Sequence, residues 1–118
     1  GIIKQLNGDT KNIEGATYLT PFVATDTSEK VQAFVNTYKE KYNAEPDQFA
    51  ADGYDAVYAI KAAIEKAGDD TSNEALVSAM TQISVNGLTG DMTFDENGEP
   101  NKSAKVVVIK DGQYVAQN

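Results

Sequence analysis

Any chemistry in this chain has to come from carboxylates, hydroxyls, amines and phenols. Cysteine and histidine are both absent, which removes thiolate nucleophiles, imidazole bases, zinc sites and most iron or copper sites. Asp52 with Asp55, or Glu45 with Asp47, offer the paired acids that glycosidic cleavage needs on two sides of one bond. Nothing in their spacing places them so. Acids near a helix start are favoured by its dipole, so all four are expected to be solvated helix-start residues. Asp95, Glu96, Asn97 and Glu99 around Gly98 resemble the opening of a calcium loop, with oxygen donors two apart before a glycine. Their flanks read as strands, and Val106 stands where that loop needs its last glutamate. An acidic hairpin turn without metal is expected. Asn101-Lys102-Ser103 is formally a glycosylation sequon, a pattern short enough to arise by chance. Phe49 sits at the mouth of a helix, where a ring is either core or the wall of a ligand site, and the residues alone favour core. No catalytic residue, metal or cofactor is assigned.

The elements that would position these groups follow from periodicity. Residues 2–6 read as the end of a short helix stopped by Asn7 and Gly8. Residues 16–22 mix aromatic and β-branched types before a proline turn and predict a strand. Over residues 28–42, Val31, Phe34, Val35, Tyr38 and Tyr42 form one apolar helical stripe. Asp26, Thr27 or Ser28 can cap that helix, and Asn43 with Pro46 ends it. A second helix begins near Pro46 or Asp47 and runs to Ala67, with Gly68 as its stop. In it, Gly53, Ala56, Ala59, Ala62, Ala63 and Ala67 alternate with Tyr54, Val57, Tyr58, Ile60 and Ile64. Apolar surface therefore covers more than half its circumference, which predicts burial between layers. A third helix spans residues 73–83, opened by the capping-box pattern Thr71-Ser72-Asn73-Glu74, with Leu76, Val77, Met80 and Ile83 inward.

After Asn86 and Gly87 the period changes to that of strands, over residues 90–94, 104–110 and 113–116. Asn97-Gly98 and Asp111-Gly112 supply the turns, the second a two-residue hairpin signal that demands positive φ. About four strands are too few to cover the second helix. More sheet is expected from outside this sequence.

Composition sets the outer bounds. A chain of 118 residues holds one ordinary domain, and 41% hydrophobic with 24% charged residues is the balance of a folded one. The ten basic residues are all lysines against eighteen acids, for a net charge of -8, so a nucleic-acid backbone is repelled. The longest apolar run, residues 106–109, falls far short of the ~20 residues of a membrane helix. Gly1 follows no charged and apolar leader, so the N-terminus is expected to be a processed or excised end. Lack of cysteine also suits an exported bacterial protein.

The block VQAFVNTYKEKYNAEPDQFAADGYDAVYAIKAAIEKAG, then a short helix, then GLTGDMTFDENGEPNKSAKVVVIKDGQYV, resembles the C-terminal third of the extracellular solute-binding proteins of branched-chain amino acid ABC transporters. EGATYLTPF resembles that family's strand into its second hinge crossing, so the resemblance covers nearly the whole chain. It implies an α/β fold, part of a two-lobed type I periplasmic-binding-protein fold, with three main helices and a C-terminal β-hairpin region. Residues 1–22 would end the second lobe and enter the hinge, 23–86 would form the helical part of the first lobe, and 87–118 would cross back and add strands.

The same resemblance implies a non-enzymatic receptor that captures a branched-chain or other neutral amino acid and delivers it to an ABC permease. The alternative is a sensor of the same fold for amides, urea or another small signal. Extracellular or periplasmic location is implied, with a lipid anchor through the missing N-terminus. Phe49 matches the family's cleft-facing aromatic, and Asp52 and Tyr54 lie within one turn of it. Groups for the ligand's α-carboxylate and ammonium are expected upstream. On its own the segment is expected to self-associate through uncovered apolar faces.

Overall fold

The computed structural model describes residues 1–117. In chain order its elements are α1 (Ile2–Gln5), β1 (Thr17–Thr20), α2 (Glu29–Tyr42), α3 (Gln48–Ala67), α4 (Asn73–Met80), β2 (Ser84–Gly87), β3 (Gly90–Thr93), β4 (Lys105–Lys110) and β5 (Gln113–Gln117). The fold is mixed α/β with antiparallel pairings. Two compact units divide it: Gly1–Gln48 together with the segment from Ala104 onward, and Phe49–Ser103.

The first unit is built on a three-stranded sheet of order β1-β4-β5. Thr17 pairs with Val108 and Lys110 with Gln113. One face of this sheet turns Thr20, Val107 and Ile109 inward, as the period of two requires. The β4–β5 turn has Asp111 at φ 50 and Gly112 at φ 73, the left-handed pair whose twist suits a two-residue hairpin. Glu14 braces it by accepting the Asp111 N–H at 2.6 Å. α2 buries Val31 and Val35, and its rings continue a ladder from Phe22 through Phe34 and Tyr38 to Tyr42, with centroids 6.0, 5.8 and 4.6 Å apart. Asn43 closes the helix in the left-handed region, its N–H donating to the Lys39 carbonyl at 2.9 Å.

The second unit holds α3, α4 and the β2–β3 hairpin. Ala59, Ala63, Ala79, Ile83, Val85 and Met92 form its core, with Ala62, Ala67, Met80 and Phe94 packed around it. Four expectations are corrected here. β2 was not foreseen, because Ser-Val-Asn-Gly carries one apolar residue among turn formers. The α4 cap is Ser72, whose Oγ accepts from Ala75 N at 3.3 Å. That lies one residue later than the Thr71–Glu74 box requires. The helix stops at Met80, leaving Ile83 buried beyond it, and Val77 faces out.

The fourth correction concerns α3. It buries Ala51, Asp55, Ala59 and Ala63, one residue per turn, while Val57 is 65% and Ile60 57% exposed. Tyr54, Tyr58 and Ile64 are exposed as well. Within this chain the helix is therefore covered along a stripe of small residues, not on all sides. Alanine allows a close approach that the larger residues would prevent, so local partners took that stripe.

Candidate functional site

The first turns of α3 carry all three residues singled out as ligand contacts. Phe49, second in the helix, is 79% exposed. A ring that open contributes nothing to the core of this chain, against the expectation from the residues alone. Asp52 stands three residues on, about 60° round the helix from Phe49, so the two share a side. Its carboxylate pairs with Lys102 Nζ at 3.3 Å, both side chains only partly exposed. Tyr54 turns elsewhere, about 140° from Phe49. Its hydroxyl donates to the Tyr58 hydroxyl at 3.3 Å, with the rings 4.8 Å apart. That hydrogen bond holds the Tyr54 phenol above its usual range, assisted by burial and by the negative charge of Tyr58 and Asp55. The helix thus brings Phe49 and Asp52 together and assigns Tyr54 to a separate tyrosine pair.

Asp55 departs most from the expected role. In place of a solvated helix-start acid, it is 2% exposed. Its Oδ1 accepts the Leu88 N–H at 2.8 Å, and its Oδ2 accepts the Thr89 N–H at 2.9 Å and the Thr89 hydroxyl at 2.6 Å. Leu88 and Thr89 are the two turn residues between β2 and β3, themselves buried. Gly87 makes the approach possible, since a Cβ there would lie 2.5 Å from Asp55 Oδ2. With Asp52 turned to Lys102 and Asp55 turned inward, the two carboxylates do not flank a common space, and the glycosidase-like pairing has no geometry. A buried carboxylate that satisfies two backbone N–H groups is a clamp on a turn. The sequence signal for it was the Gly-Leu-Thr-Gly run, whose short turn needs its N–H groups satisfied from elsewhere.

The acidic run after β3 is a turn, as its composition suggested. Asp95 Oδ1 accepts the N–H groups of Asn97 and Glu99, each at 2.9 Å. The bond from Glu99 chiefly lowers the Asp95 carboxyl below its ordinary value, with burial opposing and the Asn97 bonds adding to the lowering. Its oxygens serve the turn. Among the described residues, no group of three or more His, Cys, Asp or Glu is arranged to hold a metal ion, and no helix is long and apolar enough to cross a membrane.

A mixed α/β segment with these helices and an exposed aromatic at the start of its longest one has the fold of type I periplasmic binding proteins. The family model described as periplasmic binding protein matches residues 2–113, and the chain belongs to that family. Among solved structures it is similar to a protein from Rhodospirillum rubrum described as a branched-chain amino acid ABC transporter, at 33% identity over 97% of this chain and 34% of that one, with a TM-score of 0.80. A leucine binding protein from Thermotoga maritima shares 34% identity over 92% of this chain and 31% of its own, with a TM-score of 0.75. A solute binding protein from R. palustris in complex with benzoate has the same fold at 23% identity, covering 98% of this chain and 32% of its own, with a TM-score of 0.80. The chain spans about a third of the length of these relatives. The family is a solute-binding class found in the periplasm or outside the cell.

Proposed function

We propose that this chain is the last third of a two-lobed receptor that captures a small neutral amino acid and hands it to an ABC permease without breaking a bond. The observation that carries the proposal is Phe49, a large apolar side chain left almost fully exposed at the first turn of a helix whose inner side is fixed. An apolar wall of this kind suits an aliphatic side chain, and the two relatives above 30% identity carry branched-chain and leucine names. Residues 1–22 leave the second lobe, 23–86 supply helices to the first, and 87–118 cross back; Asp52 and, more remotely, Tyr54 border the ligand. The ligand touches both lobes and favours the closed form by its differential affinity, which the permease then reads. The receptor works in the periplasm or outside the cell, tethered by a lipid anchor ahead of this segment, while the segment alone self-associates through its uncovered α3 face.

A second reading takes support from the benzoate complex of the same fold: a receptor for another small molecule, acting as a sensor of amides, urea or a similar signal. Calorimetry of the full-length receptor against the twenty amino acids, benzoate, acetamide and urea separates the two. Leucine, isoleucine or valine is expected to bind, and Phe49→Ala to weaken that binding by about 1–3 kcal/mol with little change in stability. Binding of an amide or benzoate with no amino acid bound would establish the second reading instead.

A further inference from the structure

The buried side of α3 is a stripe of methyl groups at regular spacing: Ala51, Ala59 and Ala63, with Asp55 between the first two. Such a stripe specifies axial position poorly. Sliding the helix by one turn, about 5.4 Å, would set one alanine close to where another had been. Asp55 removes this degeneracy. Its two oxygens meet three donors of one turn, at 2.6 to 2.9 Å, and any slide would bury a carboxylate without donors and strand two backbone N–H groups. A single buried polar residue sets register in the same way in helix pairs whose apolar seam is repetitive. Gly87 reinforces the fixed position, because its lack of a Cβ leaves room for the carboxylate, which a Cβ there would meet at 2.5 Å. The Asp52–Lys102 pair at the helix start is partly exposed, and ion pairs of that kind hold too weakly to do the same work.

Phe49 lies six residues before Asp55 on the same rigid helix, and with its ring exposed it takes its position from the helix backbone. We propose that Asp55 is a positioning residue that fixes the register of α3 on the β2–β3 turn and so places Phe49 against the ligand. The inference rests on Phe49 being a ligand wall, and its test judges that premise separately. Asp55→Asn keeps the shape but turns one acceptor into a donor facing donors.

In the full-length receptor, with leucine as probe, Asp55→Asn should lower affinity at least tenfold. The double variant with Phe49→Ala should bind no more than about twofold worse than Phe49→Ala alone, because both changes remove one contact. Ala63→Gly, on the same stripe without polar atoms, should lower thermal stability and leave affinity within about twofold. Spin labels on Lys66→Cys and Thr93→Cys in this cysteine-free segment should report one α3–β3 distance, broadened or shifted by about 5 Å in Asp55→Asn. If Asp55→Asn does not fold, Thr89→Val, which removes one of the three donors, should lower affinity about threefold with the same non-additivity. Wild-type affinity in Asp55→Asn, losses that multiply in the double variant, or an unchanged label distance would overturn the proposal. Unchanged affinity in Phe49→Ala alone, with the distance shifted by Asp55→Asn, would remove the ligand wall and leave the register role standing.

Discussion

α2 and α3 are neighbours in sequence and opposites in how they meet the rest of the chain. α2 turns its valines inward and continues its aromatic residues along a ring ladder, so its apolar stripe follows its buried side as far as Tyr38, with only Tyr42 at its end exposed. α3 turns alanines and one aspartate inward and leaves valine, isoleucine and tyrosine outside. When a helix is apolar nearly all round, composition alone does not tell which side a local partner takes. Closeness of approach decides it, and the small side wins. The anchors differ too. Ahead of α2, Asp26 pairs with Lys105 within reach of solvent, whereas α3 is held by a carboxylate sealed against a turn.

The sharpest way to break the α3 side of this contrast is Gly87→Ala. Its Cβ would meet the Asp55 carboxylate and the Gly90 carbonyl at 2.5 and 2.9 Å and drive the clamp off its donors, at a cost of about 3 kcal/mol in denaturant unfolding. A loss under about 1 kcal/mol would mean that the turn yields and the clamp is loose. On the α2 side the corresponding change is Val35→Ala. Removing two buried methyl groups there should cost about 2 kcal/mol, and a neutral result would show that α2 repacks.

The Asp26 anchor should be visible in acid. Burial pushes its carboxyl up, but hydrogen bonds from Lys105 and Ser28 and the Lys105 charge more than reverse this, leaving it below the ordinary value. A carboxyl lowered by folding stabilises fully above its unfolded value, about pH 4, and that contribution fades as pH falls through the folded value. Asp26→Asn should therefore remove no more than about 1 kcal/mol at pH 7 and flatten the fall in stability below pH 4. Parallel acid profiles for the two proteins would deny the anchor. The smallest effect on folding is expected from Val57→Lys on the open side of α3, within about 0.5 kcal/mol. Light scattering of the isolated chain should show the same change shifting associated species toward monomer; a wild-type chain already monodisperse as monomer would mean that the open face needs no cover.

Most of the elements were legible from pattern. α2 announced itself by a single stripe, α3 by its length and the Gly68 stop, and the β4–β5 turn by Asp111-Gly112. β2 was not, since Ser84 to Gly87 lacks the alternation that marks a strand and is a strand only because β3 pairs with it. Asp55 escaped for a related reason: an aspartate among tyrosines and alanines reads as surface until the donors that satisfy it, more than thirty residues away, are known. Phe49 was visible as a candidate, but its exposure was not, because from the residues alone one ring at a helix start reads more readily as core than as cleft wall.

The pairing of β1 with β4 has a bearing on how the chain comes into being. Thr17 waits for Val108, while everything the Phe49–Ser103 unit needs is contiguous. During synthesis, that unit is complete in sequence before the β4 partner of β1 has been made. β1 must pass that interval without its β4 neighbour, and Lys105 is the first residue whose arrival lets that pairing begin.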